Sequence, residues 1–288
     1  MRRTQTIVEQ LCIDKFNPFS ELNSELGRKI VLKKESQYVV SIIDESDNDK
    51  WLGYLLALST FSNVRGLLAL EIRTIIFDEF VPEKHAHKIK GEAEALFNAY
   101  ETINRNRELQ GAPPLKLLCL SNSDQLVNPL FIELKIIKQC ETMKRRGIEY
   151  VNNGSSGLTL VVLSRSPISA AKGETALYKL TRGSRFETMA LENEFMDERA
   201  GDVRSLPLRE FTPVVGVGEI TVYSHKSEGY YYISEHRQGS PDIYGMGDIE
   251  LAQFRRKYIR IWDAYLAKTV VFETYVCEAI LRKAFGAA

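Results

Sequence analysis

Two short apolar stretches constrain the fold more than any other feature of the sequence. One is Thr74–Phe77, which is followed at once by two acidic residues, and the other lies within "LKLLCLSN" at 115–122, which ends in polar residues. Between them, apolar side chains recur at steps of four and three and predict an amphipathic helix over about 86–106. Strands that are apolar throughout are typical of sheets covered on both faces. The pattern therefore indicates an α/β domain around a mostly parallel sheet.

The remainder of the chain predicts a second, smaller domain. After Pro207, short alternating stretches separated by Gly and Ser predict β-hairpins, and a last helix is expected over about 248–285. Before them the apolar residues thin out and charges crowd. We therefore predict an α/β domain over 1–165, a helical linker over 166–205 and a hairpin-rich α+β domain over 206–288.

Charge and cysteine content narrow the possible partners and locations. The 38 Lys and Arg residues are balanced by 38 Asp and Glu residues, which argues against a broad cationic surface for nucleic acid. Any DNA contact is expected to be small, local or shared between subunits. The four cysteines form no C-x-x-C pair, and the longest apolar runs are far too short to cross a bilayer. These features predict a cytoplasmic protein with no membrane partner.

The acids that follow the first strand are the strongest candidate for a site. Asp78 and Glu79 come directly after the predicted strand Thr74-Ile75-Ile76-Phe77. A short apolar strand followed by Asp-Glu is the pattern called Walker B. At the carboxyl ends of parallel strands in phosphate-hydrolysing domains, such an Asp holds the Mg²⁺ that bridges the β- and γ-phosphates of ATP. An adjacent carboxylate can polarise the attacking water. By itself the pattern is also that of an ordinary acidic turn after an apolar strand.

Three further residues are candidates because of their position relative to these acids. Ser121 and Asn122 end the second strand, where they would lie beside Asp78 and Glu79 and contact the γ-phosphate or water; an ordinary helix cap or turn is the alternative. Arg105 lies two residues past Ile103, about 200° around the predicted helix, so we expect it to point away from the core. An outward arginine there can reach a neighbouring subunit's nucleotide as an arginine finger, although a solvated arginine is also possible.

The motifs together resemble a known family. "TIIFDEF", then "ETINRNRELQ", then "LLCLSNSDQLVNPLF" are similar, in order and spacing, to the DNA encapsidation ATPase of small podoviruses, of the terminase-large-subunit class of phage packaging motors. The match is densest over 71–131. Weaker similarity appears in "LSTFSNVRG" at 58–66, "TRGSRFETMALENEFM" at 181–196 and "AYLAKTVVFETYVCEAI" at 264–280.

The resemblance implies a function and assigns roles. It implies a homo-oligomeric ring of ATPase subunits at the portal vertex of a procapsid that moves double-stranded DNA inward, with ATP and Mg²⁺ as cofactors. By position, Asp78 would coordinate Mg²⁺, Glu79 would be the catalytic carboxylate and Arg105 the finger acting in trans. Ser121 and Asn122 would form the motif that couples hydrolysis to movement.

The sequence departs from this family in one respect. The family begins with a strand and a P-loop, but G-x-x-x-x-G-K-[ST] occurs nowhere in these 288 residues. "MRRT" at 1–4 resembles the stretch that follows the P-loop helix, so Met1 looks like an internal start with the first βα unit missing. We therefore expect a P-loop-NTPase-like domain with the metal and water half of an ATPase site, and little hydrolysis from this chain alone.

Two alternatives come from other classes of protein. The C-terminal domain resembles the family's nuclease-like domain, and the acids available to such a site are Glu219, Asp242, Asp248 and Glu273. Because a working nuclease needs several clustered carboxylates, we expect this domain to be inactive, yet a metal-dependent nuclease is one alternative. The other is a non-catalytic DNA- or portal-binding derivative of the motor.

Overall fold

The structure is a computed structural model that describes residues 1–64, 66, 71–81, 89–121, 125–163, 169–184, 187, 202–239 and 241–287. The chain divides into two compact units, Met1–Ser123 and Asp124–Ala288. The predicted domains over 1–165, 166–205 and 206–288 are defined by function and not by compactness, and they stay a prediction. Two short helices, Ser169–Gly173 and Ala176–Leu180, are described within the predicted linker.

The first unit contains an antiparallel sheet and a parallel strand pair. In the antiparallel sheet the strand order is β1-β2-β3, and β4 pairs in parallel with β5. The mixed α/β class is thus confirmed, and among the described residues of the first unit the parallel pairing is that of β4 with β5. The regular elements of the unit are α1 (Gln5–Leu11), α2 (Ser20–Leu26), β1 (Ile30–Lys34), β2 (Val40–Asp44), β3 (Lys50–Leu55), β4 (Thr74–Asp78), α3 (Glu92–Asn104) and β5 (Lys116–Leu120).

The helix between the parallel strands is shorter than the sequence predicts. Helix α3 starts at Glu92 because Gly91 adopts a left-handed conformation with φ +62°, and it ends before Arg105, whose φ is +48°. The prediction of helix for 89–91 and for 105–106 is therefore wrong, and 82–88 lie outside the described residues. The Tyr100 hydroxyl donates to the carbonyl of Leu115 at 2.7 Å, which fixes α3 to the start of β5.

The second unit is built on a five-stranded sheet with the order β11-β8-β9-β10-β12. Strands β8, β9 and β10 form antiparallel hairpins, which confirms the hairpin prediction, while β11 is parallel to β8 and β12 is parallel to β10. The regular elements are α4 (Pro129–Glu133), α5 (Ile137–Arg146), β6 (Tyr150–Asn153), β7 (Leu158–Val161), α6 (Ser169–Gly173), α7 (Ala176–Leu180), β8 (Phe211–Val217), β9 (Ile220–His225), β10 (Tyr231–Ser234), β11 (Ile243–Tyr244), α8 (Asp248–Lys257), α9 (Ile259–Leu266), β12 (Val270–Phe272) and α10 (Tyr275–Ala284).

The single last helix predicted over about 248–285 is wrong. Three helices and a strand occupy that range, because Val270 and Phe272 are buried in β12 against β10. A run of β-branched and aromatic residues pairs readily with an exposed strand. The main core of this unit joins residues of the sheet and of α8, α9 and α10, including Val215, Val222, Phe254, Ile261, Phe272 and Leu281.

Among the described residues, no helix is both long enough and apolar enough to span a bilayer.

Candidate functional site

The carboxyl ends of β4 and β5 lie side by side, as the sequence predicts. Asp78, the last residue of β4, is in register with Leu120, the last residue of β5. Ile75 and Phe77 are buried, so the alternation of the strand places one face of β4 in the core of the unit. The acids therefore leave the sheet at the edge where ligands collect in α/β folds.

Asp78 and Glu79 converge on one cation. The Arg2 Nη1 atom lies 3.0 Å from Asp78 Oδ2 and 3.0 Å from Glu79 Oε2. The Asp78 and Glu79 side chains are 41% and 58% exposed, whereas that of Arg2 is only 18% exposed. Two carboxylates that share a single nitrogen point their oxygens at a common position.

The backbone at Glu79 makes this convergence possible. Successive residues of a strand point to opposite faces, so two neighbouring acids would ordinarily diverge. Glu79 instead has φ +56°, in the left-handed region that non-glycine residues rarely occupy. The change of direction brings the Glu79 carboxylate to the side of Asp78, at a cost of about 1–3 kcal/mol of backbone strain.

The part that residues 1–3 play in this site is not evident from the sequence. Met1 N donates to the carbonyl of Ile76 at 2.6 Å, and Asp78 N donates back to Met1 O at 3.2 Å. On the other side, Arg2 N donates to Leu56 O at 2.9 Å and Leu58 N donates to Arg2 O at 2.8 Å. Residues 1–3 thus lie as an extended segment between β4 and 56–58.

The two arginines of this segment have opposite environments. Arg3 forms a buried bidentate ion pair with Glu92 at the start of α3, at 2.6 and 2.7 Å, with side chains 5% and 6% exposed. Arg2 faces the acids at the edge of the sheet. Because this segment is too short for a periodic pattern, only the two adjacent arginines could have marked it in the sequence.

The other predicted site residues lie in three different situations. Ser121 directly follows β5, at the same edge of the sheet as Asp78. Asn122 lies outside the described residues. Arg105 is exposed at the end of α3, and its Nε donates to the carbonyl of Thr102 at 3.3 Å. Its outward position agrees with the expectation, whereas its role as a finger, like the roles of the other residues, stays a prediction.

The acid pair suits a magnesium ion that arrives with ligands of its own. Mg²⁺ is usually held by one or two protein carboxylates, with waters and substrate phosphates completing its coordination. Among the residues that the structure describes, no group of three or more His, Cys, Asp or Glu side chains could hold a metal ion. Asp78 and Glu79 fit a Mg²⁺ site that has two protein carboxylates, since their oxygens converge and their side chains are partly exposed.

The acids considered for a nuclease site are distributed over several elements. Glu273 Oε2 accepts hydrogen bonds from Ser234 Oγ at 2.7 Å and from the backbone N–H of Glu235 at 2.9 Å. Asp242 forms an ion pair with Lys257 at 3.1 Å. The other two are exposed: Glu219 lies between β8 and β9, and Asp248 begins α8.

Known proteins that resemble this chain in sequence include DNA encapsidation and DNA packaging proteins of phages. The sequence matches the podovirus DNA encapsidation protein (Gp16) family over residues 17–251. It is 24% identical over 238 residues to a DNA packaging protein of Bacillus phage phi29, covering 79% of this chain and 64% of that protein. It is 27% identical over 183 residues to a DNA packaging protein of Bacillus phage B103, covering 63% of this chain and 51% of that one. The chain thus spans less than two thirds of the length of each relative.

The fold also has a counterpart among solved structures. A chain in the bacteriophage phi29 viral genome packaging motor assembly superposes with a TM-score of 0.64 at 18% identity, over 98% of this chain and 85% of that one. At this identity the likeness establishes a common fold.

Proposed function

The chain belongs to the podovirus DNA encapsidation protein (Gp16) family, and we propose that it supplies the metal- and water-binding half of an ATP-driven motor that moves double-stranded DNA into a phage procapsid. The observation that carries the proposal is the convergence of Asp78 and Glu79 at the carboxyl end of a parallel strand pair. The relatives from phages phi29 and B103 are DNA packaging proteins, which supports the same role.

Each residue of the site has a task in this proposal. Asp78 holds the Mg²⁺ of ATP, and Glu79, half exposed beside it, orients and polarises the attacking water. When bound, Mg²⁺ neutralises the charge that develops on the phosphates. Ser121 and Asn122, which follow the neighbouring strand, report the state of the γ-phosphate to the DNA-gripping parts.

The phosphate half of the site would be supplied by a strand and helix that these residues do not contain. Among the described strands, β5 pairs with β4 alone, so its other edge is open. The outward face of the pair carries Ile76, Leu118 and Leu120, which are 48%, 47% and 42% exposed. Parallel strands are normally covered on both faces. A βα unit that carries a P-loop, on another part of the polypeptide or on a separate one, would pair with β5 and cover this face.

The proposal also includes an assembly. Arg105 is exposed at the end of α3. We place the subunits in a homo-oligomeric ring, with Arg105 of one subunit acting as the finger for the nucleotide of the next. The ring would act at the portal vertex of the procapsid, in the host cytoplasm.

ATP turnover by a chain with a restored strand–P-loop–helix unit ahead of Met1 tests the proposal. Glu79→Gln is expected to lower turnover at least about 100-fold while nucleotide binding persists, since water activation contributes about that much. Glu101→Gln makes the same chemical change at an exposed acid of α3 and should leave turnover unchanged.

Other outcomes would favour the alternatives. Full turnover in the Glu79→Gln variant would refute the assignment of the catalytic carboxylate. DNA or procapsid binding with no dependence on nucleotide, together with no turnover in the restored chain, would favour a non-catalytic binding protein. Metal-dependent DNA cleavage that survives Asp78→Ala would favour the nuclease.

A further inference from the structure

The contact between Arg2 and both acids has a consequence for metal binding. We propose that Arg2 is a counter-cation built into the chain, and that a divalent cation can bind Asp78 and Glu79 only after the Arg2 guanidinium has left them. The inference deepens the proposed function and rests on its assignment of Asp78 to the metal.

The two cations compete for the same oxygens. Arg2 Nη1 lies 3.0 Å from one oxygen of each acid. A divalent ion bound through those oxygens at about 2.1 Å would lie at contact distance from the guanidinium. At this short distance the metal ion and the guanidinium repel each other strongly, because the site is only partly exposed to water. Movement of the Arg2 side chain away from the acids relieves this conflict.

The fold fixes the backbone of Arg2 and leaves its side chain releasable. Both backbone groups of Arg2 bond to 56–58, so the residue keeps its place when its side chain rotates. The acids that it contacts are 41% and 58% exposed, and ion pairs with that much access to water are weak. The neighbouring Arg3–Glu92 pair, by contrast, is buried on both sides and is structural.

This arrangement couples metal loading to the arrival of nucleotide. Without nucleotide, Arg2 holds the two adjacent carboxylates together and offsets part of their negative charge. An ion that arrives on a triphosphate brings phosphate ligands, which compensate for the lost contact with Arg2. Free divalent ions, which have no such ligands, are disfavoured at the site.

Titration of the nucleotide-free 288-residue chain with Mn²⁺ tests this inference. Paramagnetic broadening of backbone amide signals at the end of β4 reports binding at this place even when affinity is low. We expect Arg2→Gln to lower the half-broadening concentration of Mn²⁺ about fivefold, near the upper limit for the loss of ion pairs that are exposed to water. Arg107→Gln removes the same charge elsewhere and should leave that concentration unchanged. Adding Asp78→Asn to Arg2→Gln should abolish the broadening.

The possible failures are distinguishable. If Mn²⁺ binds at the end of β4 with equal or lower affinity in Arg2→Gln than in the unmodified chain, Arg2 does not exclude the ion, while the metal site of the proposed function stands. If neither protein shows broadening there, both the inference and the metal assignment of Asp78 are wrong. If Arg2→Gln and Arg107→Gln raise the affinity for Mn²⁺ equally, the change in net charge alone explains the effect. That result would also overturn the inference.

Discussion

Replacing Glu92 with Gln should destabilise the first unit by about 3 kcal/mol, because it leaves a buried arginine without its counter-charge. Glu92 receives two hydrogen bonds from Arg3, from Nε at 2.6 Å and from Nη2 at 2.7 Å. This contact joins the segment of residues 1–3 to the start of α3, and the same segment carries Arg2 to the acid pair. The stability of the site therefore depends on it.

The magnitude follows from the burial of both side chains, which are 5% and 6% exposed. Removing one partner of a buried ion pair costs about 3–5 kcal/mol, and the amide of Gln still accepts one hydrogen bond, which places Glu92→Gln near the lower limit. Replacing both partners by apolar residues, Arg3→Met with Glu92→Leu, leaves no charge buried. The double variant should therefore be destabilised less than the sum of the losses of stability in Arg3→Met and in Glu92→Leu. The difference should be at least about 2 kcal/mol.

Urea unfolding followed by tryptophan fluorescence measures these differences. The chain has two tryptophans, and Trp51 lies in the first unit while Trp262 lies in the second. A Trp262→Phe background therefore makes Trp51 the reporter for the unit that contains Arg3 and Glu92. Lys50→Met serves as the control, because its ion pair with Asp47 is exposed, at 62% and 44%, and should contribute less than about 1 kcal/mol.

Two results would show that the Arg3–Glu92 pair does not stabilise the first unit. One is a loss below about 1 kcal/mol for Glu92→Gln, similar to that of the Lys50→Met control. The other is additivity of the Arg3→Met and Glu92→Leu losses, which would mean that the two side chains do not stabilise each other.

Three further predictions concern the site and its neighbouring strand. Because Glu79 has φ +56°, Glu79→Gly should be more stable than Glu79→Ala by about 1 kcal/mol in urea unfolding, and the reverse order would contradict backbone strain there. In a chain with a restored P-loop unit, Arg105→Ala should bind nucleotide but lose hydrolysis, and subunits that keep Arg105 but carry Glu79→Gln should recover some turnover; full activity of Arg105→Ala alone would exclude the finger. Burial raises the pKa of the Cys119 thiol from 9.0 to about 11, so the unfolded chain loses this proton first as pH rises. The first unit should then lose up to roughly 2–3 kcal/mol between pH 9 and 11, and Cys119→Ala should remove that part of the pH dependence.

The sequence predicts the elements whose pattern is local and repeated. The apolar strand before Asp78, the second strand before Ser121 and the hairpins after Pro207 all lie where their periodicity places them. Such patterns report burial directly, because a strand or helix must turn its apolar residues to the core.

The elements that sequence analysis missed depend on contacts between distant residues. Arg2 reaches the acids only because residues 1–3 lie beside β4, about 75 positions away along the chain. The strand β12 interrupts a predicted helix because β10 offers it a pairing edge. Neither pairing leaves a periodic signal, so only the folded chain reveals them. The left-handed conformation of Glu79 is hidden for the same reason, since its residue type gives no sign of a positive φ.

We propose that Asp78 and Glu79 serve ATP-driven packaging of double-stranded DNA. The most direct test is protection of DNA from nuclease after incubation with the matching phage procapsids, ATP and the chain with a restored P-loop unit. Protection is expected with the unmodified acids and with the Glu101→Gln control, and it should be lost with Glu79→Gln. Equal protection by the Glu79→Gln variant would show that packaging does not depend on the Glu79 carboxylate.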